Sequence, residues 1–89
     1  MYYTYVLLSK ISKRTYTGST LDVQKRLEDH NSGKVKSSAF YKPFELLYYE
    51  QFQTKEEAVN RELFFKTRTG RRRLKEIFDR NKGDGINKT

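Results

Sequence analysis

Aromatic, β-branched and aliphatic residues run unbroken through Tyr2-Tyr3-Thr4-Tyr5-Val6-Leu7-Leu8, the composition of a β-strand. The polar, basic stretch from Ser9 to Arg14 reads as a hairpin loop, after which Thr15-Tyr16-Thr17-Gly18 resumes as a shorter strand. Strands joined so closely pair antiparallel. Tyr5 and Tyr16 then lie on neighbouring strands and serve one site if their faces match. Ser19 and Thr20 offer capping hydroxyls, and Asp22 places a negative charge in the first turn of a helix. Val23 and Leu27 supply its buried stripe at i, i+4. The helix is expected to stop near Asn31-Ser32-Gly33, where Gly33 takes the left-handed position. Asp22, Arg26 and His30 recur every four residues, so Arg26 and His30 share a face.

Lys34 to Lys42 forms a basic, serine-containing loop, and Pro43 opens a third strand through Phe44-Glu45-Leu46-Leu47-Tyr48-Tyr49-Glu50. Thr54-Lys55-Glu56-Glu57 has the spacing of a capping box and starts a second helix. Counted from Ala58 at roughly 100° per residue, Glu62 falls near 40°, Val59 near 100°, Leu63 near 140° and Phe65 near 340°. Glu62 therefore sits inside the apolar arc. Thr67 to Gly70 is expected to break the helix. Leu74, Ile77 and Phe78 form the stripe of a third helix, whose start carries Arg71-Arg72-Arg73. From about Asn81 the chain is polar with two glycines, and residues 81–89 read as a frayed tail. The pattern predicts one α+β domain over residues 1–80: a small three-stranded, mainly antiparallel sheet flanked by helices.

Composition narrows the functional classes. At 89 residues the chain holds one core, and at 15% aromatic it is too rich in Tyr and Phe to be disordered. Cysteine is absent, which excludes disulfides, thiolate zinc sites and cysteine nucleophiles. His30 is the single histidine, so a histidine-rich metal site is excluded too. No apolar run approaches the ~20 residues of a membrane span, and Met1 leads directly into a strand. A soluble, cytoplasmic monomer with no membrane partner is the expectation. Nineteen Lys and Arg against eleven Asp and Glu give a net charge of +8, which points to a polyanionic partner such as nucleic acid.

A carboxylate on an apolar arc is costly unless something pairs with it. Glu62 can be satisfied by an ion pair, for instance with Arg26, or by a helix rotation that brings it to water. Alternatively it can hold a hard cation, since Mg²⁺ accepts one or two carboxylates together with waters and phosphate oxygens. Tyr5 and Tyr16 taken alone are ordinary sheet tyrosines. Gly18, at a strand end, permits close approach of another backbone or a ligand.

Taken together, these residues resemble the GIY-YIG nuclease family, in particular its small standalone bacterial members of the UPF0213 type. Two tripeptides on adjacent strands precede a helix bearing Arg and His in that family. Here Tyr3-Thr4-Tyr5 stands at the first tripeptide and Tyr16-Thr17-Gly18 at the second; Arg26 and His30 follow, and Glu62 matches the metal-binding glutamate. Thr4, Tyr3 and Thr17 depart from the family pattern, but they alternate along the strands with the functional side chains. The resemblance runs from about Tyr2 to Phe78 and implies an α/β sandwich that hydrolyses DNA phosphodiesters. It implies that Glu62 binds one Mg²⁺ or Mn²⁺ ion, which holds the scissile phosphate and stabilises the leaving 3′-oxygen. Tyr5 would help activate the attacking water, with its pKa lowered by positive charge from Arg26. Arg26 would also neutralise the transition state, Tyr16 would orient water or phosphate, and His30 would relay the proton or bind phosphate.

Lys34, Lys36 and Lys42 in the loop, with Lys66, Arg68, Arg71, Arg72 and Arg73, are candidates to track a DNA backbone, alongside Gly18. Larger relatives draw target specificity from fused domains. Little sequence preference, or targeting by a protein partner, is therefore expected here. The alternative function is a non-catalytic module that binds DNA or RNA on the same fold.

Overall fold

The structure is a computed structural model that describes residues 1–88, with side chains through Arg80. The expected tail over 81–89 lies outside the residues described with side chains; its backbone is described through Lys88, where it continues the last helix, and Thr89 is not described. The elements in chain order are β1 (Tyr2–Ser9), β2 (Thr15–Thr20), α1 (Val23–Asn31), a 3₁₀ turn (Ala39–Tyr41), β3 (Phe44–Phe52), α2 (Lys55–Phe65) and α3 (Arg68–Lys88). The α+β architecture of the sequence reading stands. Its sheet has three strands in the order β2-β1-β3, antiparallel throughout.

β1 is central, which explains its unbroken apolar run. Thr4, Tyr5, Val6 and Leu7 are all buried because both faces of the sheet are covered. Alternation along the strand divides their tasks. Thr4 points to α2 and donates its hydroxyl to the Ala58 carbonyl at 2.7 Å. Tyr5 points the opposite way, to α1. α2 lies across the first face, with Phe65 and Ala58 buried beneath it; α1 lies against the second.

Local signals shape the helices. Thr54 and Glu57 close a reciprocal capping box at the start of α2, as the spacing predicted. α1 begins two to three residues later than expected. Asp22 is the cap itself, accepting from the Lys25 N–H at 3.0 Å, and β2 runs on through Ser19 and Thr20. Gly33 takes a φ of 84° just after the end of α1.

The expected break at Thr67–Gly70 is narrower than the sequence suggested, because α3 already starts at Arg68. The Thr67 hydroxyl accepts from the Gly70 N–H, and Gly70 is inside the helix. A Cβ at Gly70 would overlap the Phe64 carbonyl, so this glycine allows α3 to turn tightly off α2. Leu74, Ile77 and Phe78 form the half-buried stripe of α3, as predicted.

One irregularity organises the core beneath α1. Val6 pairs with Tyr48 but Leu7 pairs with Leu46, so Leu47 is an extra residue in β3. In a regular strand Tyr48, Leu46 and Phe44 would share a face. The bulge sends Tyr48 towards α2, where it meets Phe65, and turns Phe44 over to pack with Tyr5 and Leu7.

Candidate active site

The register pairs Tyr5 with Gly18 and Leu7 with Tyr16, so Tyr5, Tyr16 and Gly18 share the α1 face of the sheet. The face match needed for a common site is therefore present. Gly18 has a specific task there. A Cβ on it would stand 2.5 Å from the Tyr5 hydroxyl oxygen and 2.7 Å from Cζ. Its close approach is to the Tyr5 ring, and Gly18 is itself buried, so it offers no open contact of the kind expected for DNA.

Two residues one turn apart on α1 converge on the Tyr5 hydroxyl. Arg26 donates to it from Nε at 3.2 Å, and His30 Nε2 lies 3.1 Å away. The other imidazole nitrogen, Nδ1, is 2.7 Å from the Ser38 Oγ. Tyr5, His30 and Ser38 are at most 1% exposed. The His30 ring is clamped by Tyr16 and Phe44, with centroids 4.7 and 5.7 Å away in edge-on geometry. His30 thus has no surface with which to bind phosphate. Its remaining expected role is proton relay.

Charge in this cluster differs from the sequence expectation in one respect. Burial pushes the Tyr5 phenol above its ordinary range and outweighs the hydrogen bond and charge of Arg26, which pull it down. Nearby Tyr16 and Glu62 add to the upward push. The expected lowering by Arg26 is real but loses to desolvation, so Tyr5 is a neutral phenol at pH 7. Arg26 gains from the same hydrogen bond and stays charged. Burial lowers the His30 pKa, and the Arg26 charge lowers it further against a smaller opposing pull from Asp29. His30 is a neutral imidazole at pH 7.

Glu62 lies on α2, across the sheet from this cluster, and makes itself felt there through its charge on Tyr5. Its neighbour Arg61 turns towards β3, donating to Glu50 from Nε at 2.8 Å and from Nη2 at 3.3 Å. Glu62, about 100° further round α2, consequently falls on the β2 side, where Gly18 lies. Its side chain is 19% exposed, and its carboxylate accepts from Lys66 Nζ at 2.8 Å, one turn along the helix. The partner is Lys66 and not Arg26, which is engaged with Tyr5.

The basic candidates separate into two sets. Lys34, Lys36 and Lys42 are exposed on the loop after α1, with Lys42 Nζ close beside Gly33. Lys66, Arg68, Arg71, Arg72 and Arg73 are exposed around the corner between α2 and α3. Lys66 and Arg71 line a broad groove of about 1310 Å³, joined by Lys10, Lys13, Arg14 and Lys75. Its lining combines Val6, Leu8 and Phe65 from the α2 face with Tyr16 of β2, and does not include Tyr5.

Sequence reasoning missed Ser38 and Asn31. Asn31 brackets Phe44, accepting from its N–H at 2.6 Å and donating to its carbonyl at 3.1 Å. That tie fixes β3 against the end of α1. Nothing in the spacing of either residue signals these contacts, which depend on the loop fold.

Residues 1–76 match the family model described as the GIY-YIG catalytic domain. A UPF0213 protein of Streptococcus pyogenes serotype M3 is 47% identical over 70 residues, covering 78% of this chain and 75% of that protein. A UPF0213 protein of S. pyogenes serotype M5 matches to the same extent. Among solved structures, the solution NMR structure of the UPF0213 protein BH0048 from Bacillus halodurans is similar at 36% identity. It superposes with a TM-score of 0.52, covering 86% of this chain and 85% of that one.

Proposed function

This chain belongs to the GIY-YIG family, alongside UPF0213 proteins, and we propose that it is a divalent-metal-dependent endonuclease that hydrolyses DNA phosphodiester bonds with little sequence preference. The observation that carries this reading is the chain Arg26–Tyr5–His30, in which a half-buried arginine meets a buried tyrosine and histidine, held against the sheet beside Gly18 and Tyr16. Such an arrangement is costly to build and supplies a fixed cation next to a proton-transfer path.

Among the described residues no three His, Cys, Asp or Glu side chains group to hold a metal. Glu62 alone is still compatible with Mg²⁺, which takes one carboxylate and completes its shell with waters and substrate phosphate oxygens. Glu62 would hold the ion, exchanging its contact with Lys66, and the ion when bound would supply Lewis-acid stabilisation of phosphate charge.

The chain's own groups divide the remaining work. Arg26, tied at Nε, keeps its terminal nitrogens for a phosphate oxygen. Tyr5 is 1% exposed at rest, so the cluster opens on the half-buried Arg26 side to admit the attacking water. The Tyr5 oxygen then takes a proton from that water as its own passes to His30 Nε2, so a neutral phenol serves as base without first ionising. The new P–O bond forms as the P–O3′ bond breaks, and the leaving oxygen takes a proton from solvent. Tyr16, half-buried with its hydroxyl 3.0 Å from Ser37 Oγ, orients the incoming phosphate or water.

The test is cleavage of labelled duplex, flap and single-stranded DNA in Mg²⁺, Mn²⁺ or EDTA, with Glu62→Gln in parallel. Metal-dependent cleavage by the unaltered protein, reduced at least 100-fold in folded Glu62→Gln, is the expected outcome. Equal cleavage by the variant would overturn the metal assignment. The 2.8 Å contact of Lys66 with Glu62 favours, as a second reading, a module that binds nucleic acid without turnover. That reading predicts binding to these DNAs with no product in any metal.

A further inference from the structure

We propose that Ser38 is a positioning residue for this reaction: it holds His30 as the Nδ1–H tautomer, so that a bare Nε2 faces the Tyr5 hydroxyl. The inference rests on the nuclease reading and extends it to a residue outside the family pattern quoted above. Its first support is directional. Arg26 Nε–H has already donated to the Tyr5 oxygen, so the Tyr5 hydrogen is free to go to His30. Receiving it requires Nε2 without a hydrogen, which puts the imidazole hydrogen on Nδ1.

The second support comes from what Ser38 does with its hydroxyl. Ser38 is the N-cap of the 3₁₀ turn Ala39–Tyr41, a position where serine ordinarily accepts from a backbone N–H. Here it makes no such bond. Its Oγ instead meets His30 Nδ1 at 2.7 Å and has the Val35 carbonyl at 3.3 Å as acceptor for its own hydrogen. The sequence of donations Arg26 → Tyr5 → His30 → Ser38 → Val35 gives each hydrogen one acceptor. Reversing the tautomer would turn the Ser38 hydrogen away from Val35 and leave Tyr5 with two donors and no acceptor. Among the described residues no buried side-chain polar atom lacks a partner, in keeping with the completed chain.

The groups facing the ring are Tyr5 and Tyr16 from the sheet, Arg26 and Asp29 from α1, and the apolar Phe44 from β3. Among these and Ser38, only Ser38 touches Nδ1, so it completes at that nitrogen the selection that Arg26 and Tyr5 begin at Nε2.

Nitrogen-15 NMR of the lone histidine reads the tautomer directly, with no substrate present. The expected result is an Nδ1–H imidazole in the unaltered protein and in Ser38→Thr, and a reduced share of that tautomer in Ser38→Ala, where Nδ1–H has lost its acceptor. Cleavage should follow, with kcat reduced roughly 100-fold in Ser38→Ala, KM little changed, and rate recovered in Ser38→Thr. An Nε2–H imidazole in the unaltered protein would overturn the assignment, whatever the variants do and whether or not they fold. A folded Ser38→Ala protein with unchanged tautomer and unchanged kcat would overturn it too. An Nδ1–H imidazole in a protein that cleaves no DNA would instead overturn the nuclease reading, and with it the catalytic purpose of Ser38.

Discussion

Gly18→Ala adds a single methyl group at the point where the site is tightest. Its carbon would lie 2.5 Å from the Tyr5 oxygen, 2.7 Å from Cζ and 3.0 Å from Cε1, whereas comfortable contact needs about 3.5 Å. Tyr5 must therefore retreat by roughly 1 Å, and it is too buried to do so freely. The retreat opens the 3.2 Å bond to Arg26 and the 3.1 Å bond to His30. Overpacking of this kind costs about 1–3 kcal/mol, and each lost hydrogen bond adds about 1 kcal/mol. Destabilisation near 3 kcal/mol is expected, a substantial part of the stability of a domain this small.

On the proposed mechanism activity should fall further than stability explains, by at least 100-fold, since the proposed proton path runs through the displaced hydroxyl. Urea denaturation gives the first quantity, and single-turnover cleavage below the unfolding transition gives the second. Tyr5→Phe removes the nearest atom of the clash. The double variant should therefore be more stable than the sum of the two single losses predicts. A Gly18→Ala protein with unaltered stability and cleavage would refute the steric argument.

Acid should weaken the fold through His30. Its pKa is lowered in the folded state, so the unfolded chain binds the extra proton first as pH falls below the usual histidine value of about 6.5. The stability due to neutral His30 is complete above that pH and declines below it, levelling once the folded pKa is passed; urea titrations from pH 8 to 4 should lose this step in His30→Gln. If the loop set Lys34, Lys36 and Lys42 tracks a phosphate backbone, replacing all three with Ala should weaken DNA binding. The slope of log affinity against log salt should then flatten by about 0.9 for each contact removed. An unchanged slope would assign the backbone contacts to Lys66 and the arginines of α3 instead.

Much of this protein is determined locally and was legible residue by residue. The apolar run of β1, the capping box at Thr54–Glu57, Gly33 after α1, and the four-residue spacing of Arg26 and His30 act within a few positions of the chain. Their consequences follow from strand and helix periods. The resemblance of the tyrosine tripeptides, Arg26, His30 and Glu62 to a nuclease pattern was likewise visible before the fold.

Tertiary structure decided what depends on residues far apart meeting. The extra residue at Leu47 chooses the face of Phe44 and thereby closes the pocket around His30. A one-residue slip in strand pairing leaves no mark in the hydrophobic pattern of β3. Whether Arg26 lowers the Tyr5 pKa more than burial raises it is a contest between charge and desolvation, and burial is a property of the packed core. Gly70 looked like a helix breaker until the Phe64 carbonyl appeared where its side chain would be. Ser38 looked like one more polar loop residue, because a hydroxyl acquires a role only from the atom placed 2.7 Å away.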